Sequence, residues 1–109
     1  MFSYVGTGKR NIVLDHIRIN GSMDGAGSTH TPNTYGIDAN GSDNTINGLQ
    51  IYNNNYGIHM SGATYNIFNN IQVYNNSVDG IFMESASNNN ILNNIQSYNN
   101  NGNGIRMHG

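Results

Sequence analysis

The sequence predicts an all-β fold, a right-handed parallel β-helix of about four rungs with a period of 21–24 residues. Three observations carry that prediction. A Gly-Ile step recurs with its isoleucine at Ile37, Ile58, Ile81 and Ile105, at intervals of 21, 23 and 24 residues. Asn is the dominant residue, 23 of 109, and it clusters at fixed places within each repeat. No window of helical length carries a 3.6-residue apolar period.

Three copies of the repeat align directly: Tyr35–Asn55, Tyr56–Ser77 and Val78–Asn101, with a fourth beginning at Asn103. Each holds two short alternating runs, the strand signal. One is Gly-Ile-x-Met-x; the other is Ile-x-x-Asn-Ile-Gln-x-Tyr-Asn-Asn. Ile, Val and Tyr favour strands, whereas Asn and Gly favour corners. The N-terminal part reads as a divergent copy. Phe2 and Tyr4 match Ile81 and Met83, and Val13–Asn20 matches the run from Ile67. The chain is therefore expected to be a single β-helix domain or segment, 1–109, with an inserted loop at about 21–34.

A unit this short cannot bury its own apolar face, so copies must stack, with equivalent strands about 4.8 Å apart. Stacking predicts inward columns: Phe2, Ile37, Ile58, Ile81, Ile105; Tyr4, Ala39, Met60, Met83, Met107; and Ile17, Leu49, Ile71, Ile95. In register, each Asn amide can bond the copies above and below, and Asn tolerates the left-handed conformation of sharp corners. Asn69 with Asn93, and Asn70 with Asn94, are the expected ladders.

The repeat pattern resembles the parallel β-helix repeats of the pectate-lyase-like superfamily over nearly the whole chain. That resemblance implies the fold and leaves function open, because the superfamily hosts lyases, hydrolases, epimerases, adhesins and phage spikes. A leucine-rich repeat has a similar period but wants Leu at its framework positions; here Leu stands only at Leu14, Leu49 and Leu92.

Composition narrows the function classes. Charged residues are 9% of the chain and the net charge is −2, so no clustered basic face for nucleic acid is expected. No apolar run approaches a membrane span. No basic segment followed by an apolar run opens the chain, so no signal peptide is expected in it. The absence of cysteine excludes disulfides and thiolate chemistry. No metal and no cofactor is expected: His16, His30, His59 and His108 lack metal-ligand spacing, and Val5–Arg10, with its Gly and Lys, lacks the spacer and Ser/Thr of a phosphate loop.

Candidate chemistry falls in two places. The inserted loop carries Asp24, His30 and Thr31, and insertions in solenoids gather on one face. The outward face of the Gly-Ile strands aligns Asp38, His59, Phe82 and Arg106 in one column, and Asn40, Ser61, Glu84 and His108 in a second. Asp38 is expected to approach His59, and Glu84 to approach Arg106 and His108. An Arg beside a uronate carboxylate and a His or carboxylate to move a proton would suit acidic-sugar chemistry, so Asp38, His59, Glu84 and Arg106 are the catalytic candidates. Ligand-binding candidates are Asp24, His30, Tyr35, Tyr56, Phe82 and His108, the aromatic rings as platforms for sugars.

Specific enzyme families match poorly. Pro32–Asp38 resembles the Asn-Thr-Asp-Gly segment of polygalacturonase-type glycoside hydrolases, but Tyr35 stands at the catalytic Asp. Asn55-Tyr56 stand where that family has its paired Asp, and its Gly-His-Gly and Arg-Ile-Lys segments have no counterpart. Tyr35–Asn40 resembles the Tyr-Gly-Phe-Asp-Pro-His segment of alginate C5-epimerases, with Asp38 at its catalytic Asp but Ala39 and Asn40 replacing Pro and His.

The expected function is an extracellular or cell-surface structural or glycan-associated segment: a spacer, adhesin or filament subunit without its own catalytic motif. The sequons at Asn20, Asn40 and Asn75 are compatible with that location. The alternative is a fragment of a polysaccharide lyase, hydrolase or C5-epimerase. The first and last strands are of one type and carry no cap. A piece of a longer β-helix is therefore expected, with head-to-tail self-association as the other option and polysaccharide as the candidate partner.

Overall fold

A computed structural model describes residues 35–84 and 86–109, together with the backbone of three short stretches at 2–4, 13–15 and 18–20. Among the described residues eleven strands follow one another: β1 (Phe2–Tyr4), β2 (Val13–Asp15), β3 (Arg18–Asn20), β4 (Tyr35–Ala39), β5 (Thr45–Asn47), β6 (Gln50–Tyr52), β7 (Tyr56–Met60), β8 (Ile67–Tyr74), β9 (Ile81–Met83), β10 (Ile91–Tyr98) and β11 (Ile105–Met107). They form two all-parallel sheets. The first has the order β1-β4-β7-β9-β11; in the second, β8 pairs with β5, β6 and β10, while β2 and β3 pair with β5 and β6. Every pairing joins a strand to its equivalent one repeat away, so the chain coils as a parallel β-solenoid of about three turns. The strands β1 to β3 supply backbone partners for a further turn.

The expected register holds. Phe2, Ile37, Ile58, Ile81 and Ile105 are successive partners, as are Tyr4, Ala39, Met60, Met83 and Met107. Ile71 pairs with Ile95, whereas Ile17 lies outside the described residues. The core is the space between the sheets. Ile37, Ile58 and Ile81 fill it from one side, and Ile46, Phe68, Leu49, Ile71, Ile51 and Val73 from the other, all without solvent exposure. Each such side chain contributes roughly 1.5–3 kcal/mol relative to an exposed one.

Corners repeat as strictly as strands. Left-handed backbone recurs at Asp43, Tyr65 and Asn89; at Gly48, Asn70 and Asn94; and at Asn53, Asn75 and Asn99, one residue per turn at each place. The middle set falls at the centre of β8 and of β10 and, as Gly48, between β5 and β6, so the three turns change direction at the same place.

The expected ladders at Asn69–Asn93 (3.3 Å) and Asn70–Asn94 (2.8 Å) form, and both are exposed. Two further ladders run inside the corners. In one, Asn44 donates to Asn66 and Asn66 to Asn90; in the other, Asn54 donates to Asn76 and Asn76 to Asn100. Each acceptor oxygen also takes the backbone N–H of the Asn one turn before it. Asn44, Asn54, Asn66 and Asn76 are at most 2% exposed, so these side chains supply the partners that water cannot.

Candidate functional site

The outward face of the first sheet brings together the side chains with the most chemistry. Strand register places Asp38 beside His59, His59 beside Phe82 and Phe82 beside Arg106. Asp38 Oδ1 lies 2.8 Å from His59 Nδ1. With Asp38 ionised, that nitrogen carries the proton and donates, which leaves Nε2 as the second reactive atom. Nε2 is buried, makes no hydrogen bond, and stands 3.6 Å from Glu84 Oε2. One imidazole thus sits between carboxylates from the turn before and the turn after. As imidazolium it would donate to Asp38 and stand at ion-pair distance from Glu84; as neutral imidazole its lone pair faces a carboxylate.

His59 as a whole is only 7% exposed. Tyr35 stacks on it at 4.2 Å and 13°, and Phe82 leans against it at 5.6 Å. Tyr35 contacts Tyr56 at 5.6 Å, and Tyr56 contacts Phe82 at 5.7 Å. The three aromatic residues therefore turn much of their ring faces toward one another and His59.

Arg106 departs from expectation. Its Nε donates to Asp79 Oδ2 at 2.7 Å, and its guanidinium lies 3.9 Å above the Phe82 ring. Glu84 is not its partner: the only ion-pair contact of Glu84 among the described residues is His59. The physical reason is a better acceptor on the other side of Phe82. Asp79 is 2% exposed and already accepts the backbone and side-chain N–H groups of Asn103, and a buried carboxylate demands a cation more strongly than a half-exposed one. Among the described residues the expected pairing of Glu84 with His108 is also absent. His108 is exposed, and the two residues line a small hollow with Met83, Ser87 and Met107.

The catalytic candidates are therefore split. Asp38, His59 and Glu84 form one cluster, with Arg106 one strand position further on and engaged elsewhere. Asp24 and His30 lie outside the described residues. Asp79 was not singled out by its sequence context. The signal was an acidic residue directly before Gly80-Ile81, in the column that holds Tyr35, Tyr56 and Asn103 in the other turns.

The Tyr35 phenol ionises above its ordinary value of 10.0, because burial, then the negative charges of Asp38 and Glu84, disfavour phenolate. The folded state favours the neutral phenol. The resulting stability is fully present below the ordinary phenol value and is lost as pH rises through the raised one. An alkaline absorbance titration should show a late-ionising tyrosine that Tyr35→Phe removes. A wild-type-minus-variant difference titrating at or below 10.0 would sink this assignment.

Residues 6–109 match the family model described as right handed beta helix region. The chain belongs to that family. No curated protein and no solved structure matches it. Membership fixes the hand of the coil and its architecture. Within the β-helix, the Asp38–His59–Glu84 cluster spans three successive turns, and its present arrangement ties those turns together. His59 Nε2 is buried, so it would reach a substrate only if the side chains covering it moved. No group of three or more His, Cys, Asp or Glu among the described residues is arranged to hold a metal ion, because Asp38 and Glu84 lie on opposite edges of the imidazole.

Proposed function

We propose that this β-helix is a structural or glycan-associated segment of the cell surface or extracellular space, acting as a spacer, adhesin or filament element rather than as a catalyst. One observation carries the reading: the side chains with the chemistry for turnover are engaged with each other. His59 is sealed beneath Tyr35 between two carboxylates, and Arg106 is held by buried Asp79. Low charge supports the same reading.

A second reading, a piece of a polysaccharide lyase, hydrolase or C5-epimerase, is favoured by one specific feature. An Asp–His pair with an adjacent carboxylate has the composition of a proton-transfer site, and the buried Nε2 still lacks a hydrogen-bond partner.

The two readings separate in one assay. The chain is incubated with acidic and neutral polysaccharides, and unsaturated ends, reducing ends and epimer ratio are followed. The structural reading expects no turnover, and glycan retention that Asp38→Ala with His59→Ala leaves unchanged. Turnover by the wild type that disappears in the double variant would replace it with the enzymatic one.

A further inference from the structure

We propose that the outward face of the second sheet carries a binding groove for a linear, uncharged glycan, running along the coil axis between two amide ladders. The proposal rests on the glycan-associated reading above and names its site and its sugar class. The groove is lined by Asn70 and Asn94 on one side and Gln72 and Gln96 on the other, with Ile71 between them.

The walls are rigid and polar. Asn94 donates to Asn70 at 2.8 Å and Asn70 to Asn47 at 3.1 Å. Gln50 donates to Gln72 at 3.2 Å and Gln72 to Gln96 at 3.1 Å. These bonds run along the axis and fix each amide plane. A primary amide has two N–H groups and two lone pairs, and an axial ladder engages one of each. Asn70, engaged both ways, keeps one N–H and one lone pair for the groove; Asn94 donates to Asn70 and keeps its other N–H and its carbonyl oxygen; Gln96 accepts from Gln72 and keeps both N–H groups and a lone pair, all three side chains being exposed. A sugar hydroxyl both donates and accepts, so it matches a wall that offers both at every rung. The rung repeat of about 4.8 Å is on the scale of one pyranose in an extended chain, which lets successive sugars meet equivalent amides. Preorganised amides also avoid the ordering cost that flexible side chains would add on binding.

Charge selects the class of sugar. The segments 44–54, 66–76 and 90–101, which build this face over three turns, contain no Asp, Glu, Lys, Arg or His. A uronate or sulfated chain would leave its anions without a cation here. A second copy of the same face is disfavoured by shape. An isologous contact sets groove against groove, with no ridge from either copy to fill the other.

Affinity electrophoresis through gels containing hydroxyethylcellulose, xylan or mannan, against gels containing polygalacturonate or alginate, tests the idea. Wild-type chain should be retarded by at least one neutral polymer and by neither acidic one. Gln72→Leu with Gln96→Leu removes one wall. Asn70→Gly with Asn94→Gly removes the other and suits the left-handed backbone at both positions (φ 55° and 52°). Each pair should weaken neutral-glycan binding about tenfold or more, the loss of one or two net hydrogen bonds. Both pairs are measured beside their circular dichroism and sedimentation, so a variant that fails to fold leaves the other to decide. Neutral-glycan binding that survives both wall variants would overturn the groove while leaving glycan association standing. Retardation by acidic polymers alone would overturn the sugar class. No retardation by any polymer would remove both this proposal and the glycan-associated reading. Concentration-dependent dimers abolished by the wall variants would assign the face to a second copy instead.

Discussion

Replacing Asn66 with leucine is expected to destabilise the coil by about 3 kcal/mol or more, by the cost of stranding buried polar groups. Asn66 is fully buried. Its Oδ1 accepts the backbone and side-chain N–H of Asn44, each at 3.0 Å. Its Nδ2 donates to Asn90 Oδ1 at 3.1 Å and to the Gly41 carbonyl at 2.9 Å. Leucine has nearly the same volume, so packing changes little and the loss is polar. The Asn44 backbone N–H suffers most, since its bond goes to this side chain rather than to the strand ladder. Urea unfolding followed by circular dichroism gives the free-energy change. The exposed ladder supplies the contrast. Asn93→Ala removes one amide bond of 3.3 Å at a solvated site and is expected to change stability by no more than about 0.5 kcal/mol. Equal effects at the two positions would mean that burial does not distinguish the ladders energetically.

Gly57→Ala is expected to be at least as damaging, about 3 kcal/mol, at the upper end of overpacking costs. A Cβ at Gly57 would stand 2.2 Å from Val73 Cγ1 and 2.5 Å from the Gly80 carbonyl oxygen. The first neighbour can be trimmed. The second cannot, because Gly80 O accepts the Ile58 N–H at 2.9 Å and is part of the bonding between turns. Gly36 and Gly80 meet the same pair of obstacles, a side chain at 2.4 or 2.2 Å and a carbonyl at 2.6 or 2.5 Å. The glycine of the Gly-Ile step is thus set by the spacing between turns. A double-variant cycle separates the contributions. Gly57→Ala with Val73→Ala should recover only the part due to the valine methyl, leaving most of the loss. Full recovery would show that the carbonyl contact relaxes freely.

These two sites mark the boundary of what the amino-acid order makes legible. Strand register was readable because isoleucine and methionine recur at one place per turn, and a one-residue slip would turn them outward. The column Asp38–His59–Phe82–Arg106 followed from the same register. What periodicity cannot distinguish is which asparagine faces inward. With 23 in the chain, Asn70 and Asn66 look alike until corner backbone angles decide that one points to solvent and the other between turns. The Arg106 partner was equally hidden. Glu84 and Asp79 flank the Phe82 position on opposite sides, and burial of Asp79 settles the choice. The inserted loop with Asp24 and His30 lies outside the described residues, so its expected ligand role stands on sequence alone.

The bonds between turns all point along the axis of the rod, which has a mechanical meaning. Tension applied lengthwise loads them one turn at a time, as in unzipping, rather than many in parallel shear. A turn of 21 to 24 residues occupies about 4.8 Å of rod but holds roughly 75 Å of extended chain, at about 3.3–3.6 Å per residue. A rod built this way can lengthen some fifteenfold, by the same roughly 3.3–3.6 Å reach per residue, turn by turn under load. It would act as a stepwise shock absorber whose stiffness is set by the buried amides of each corner.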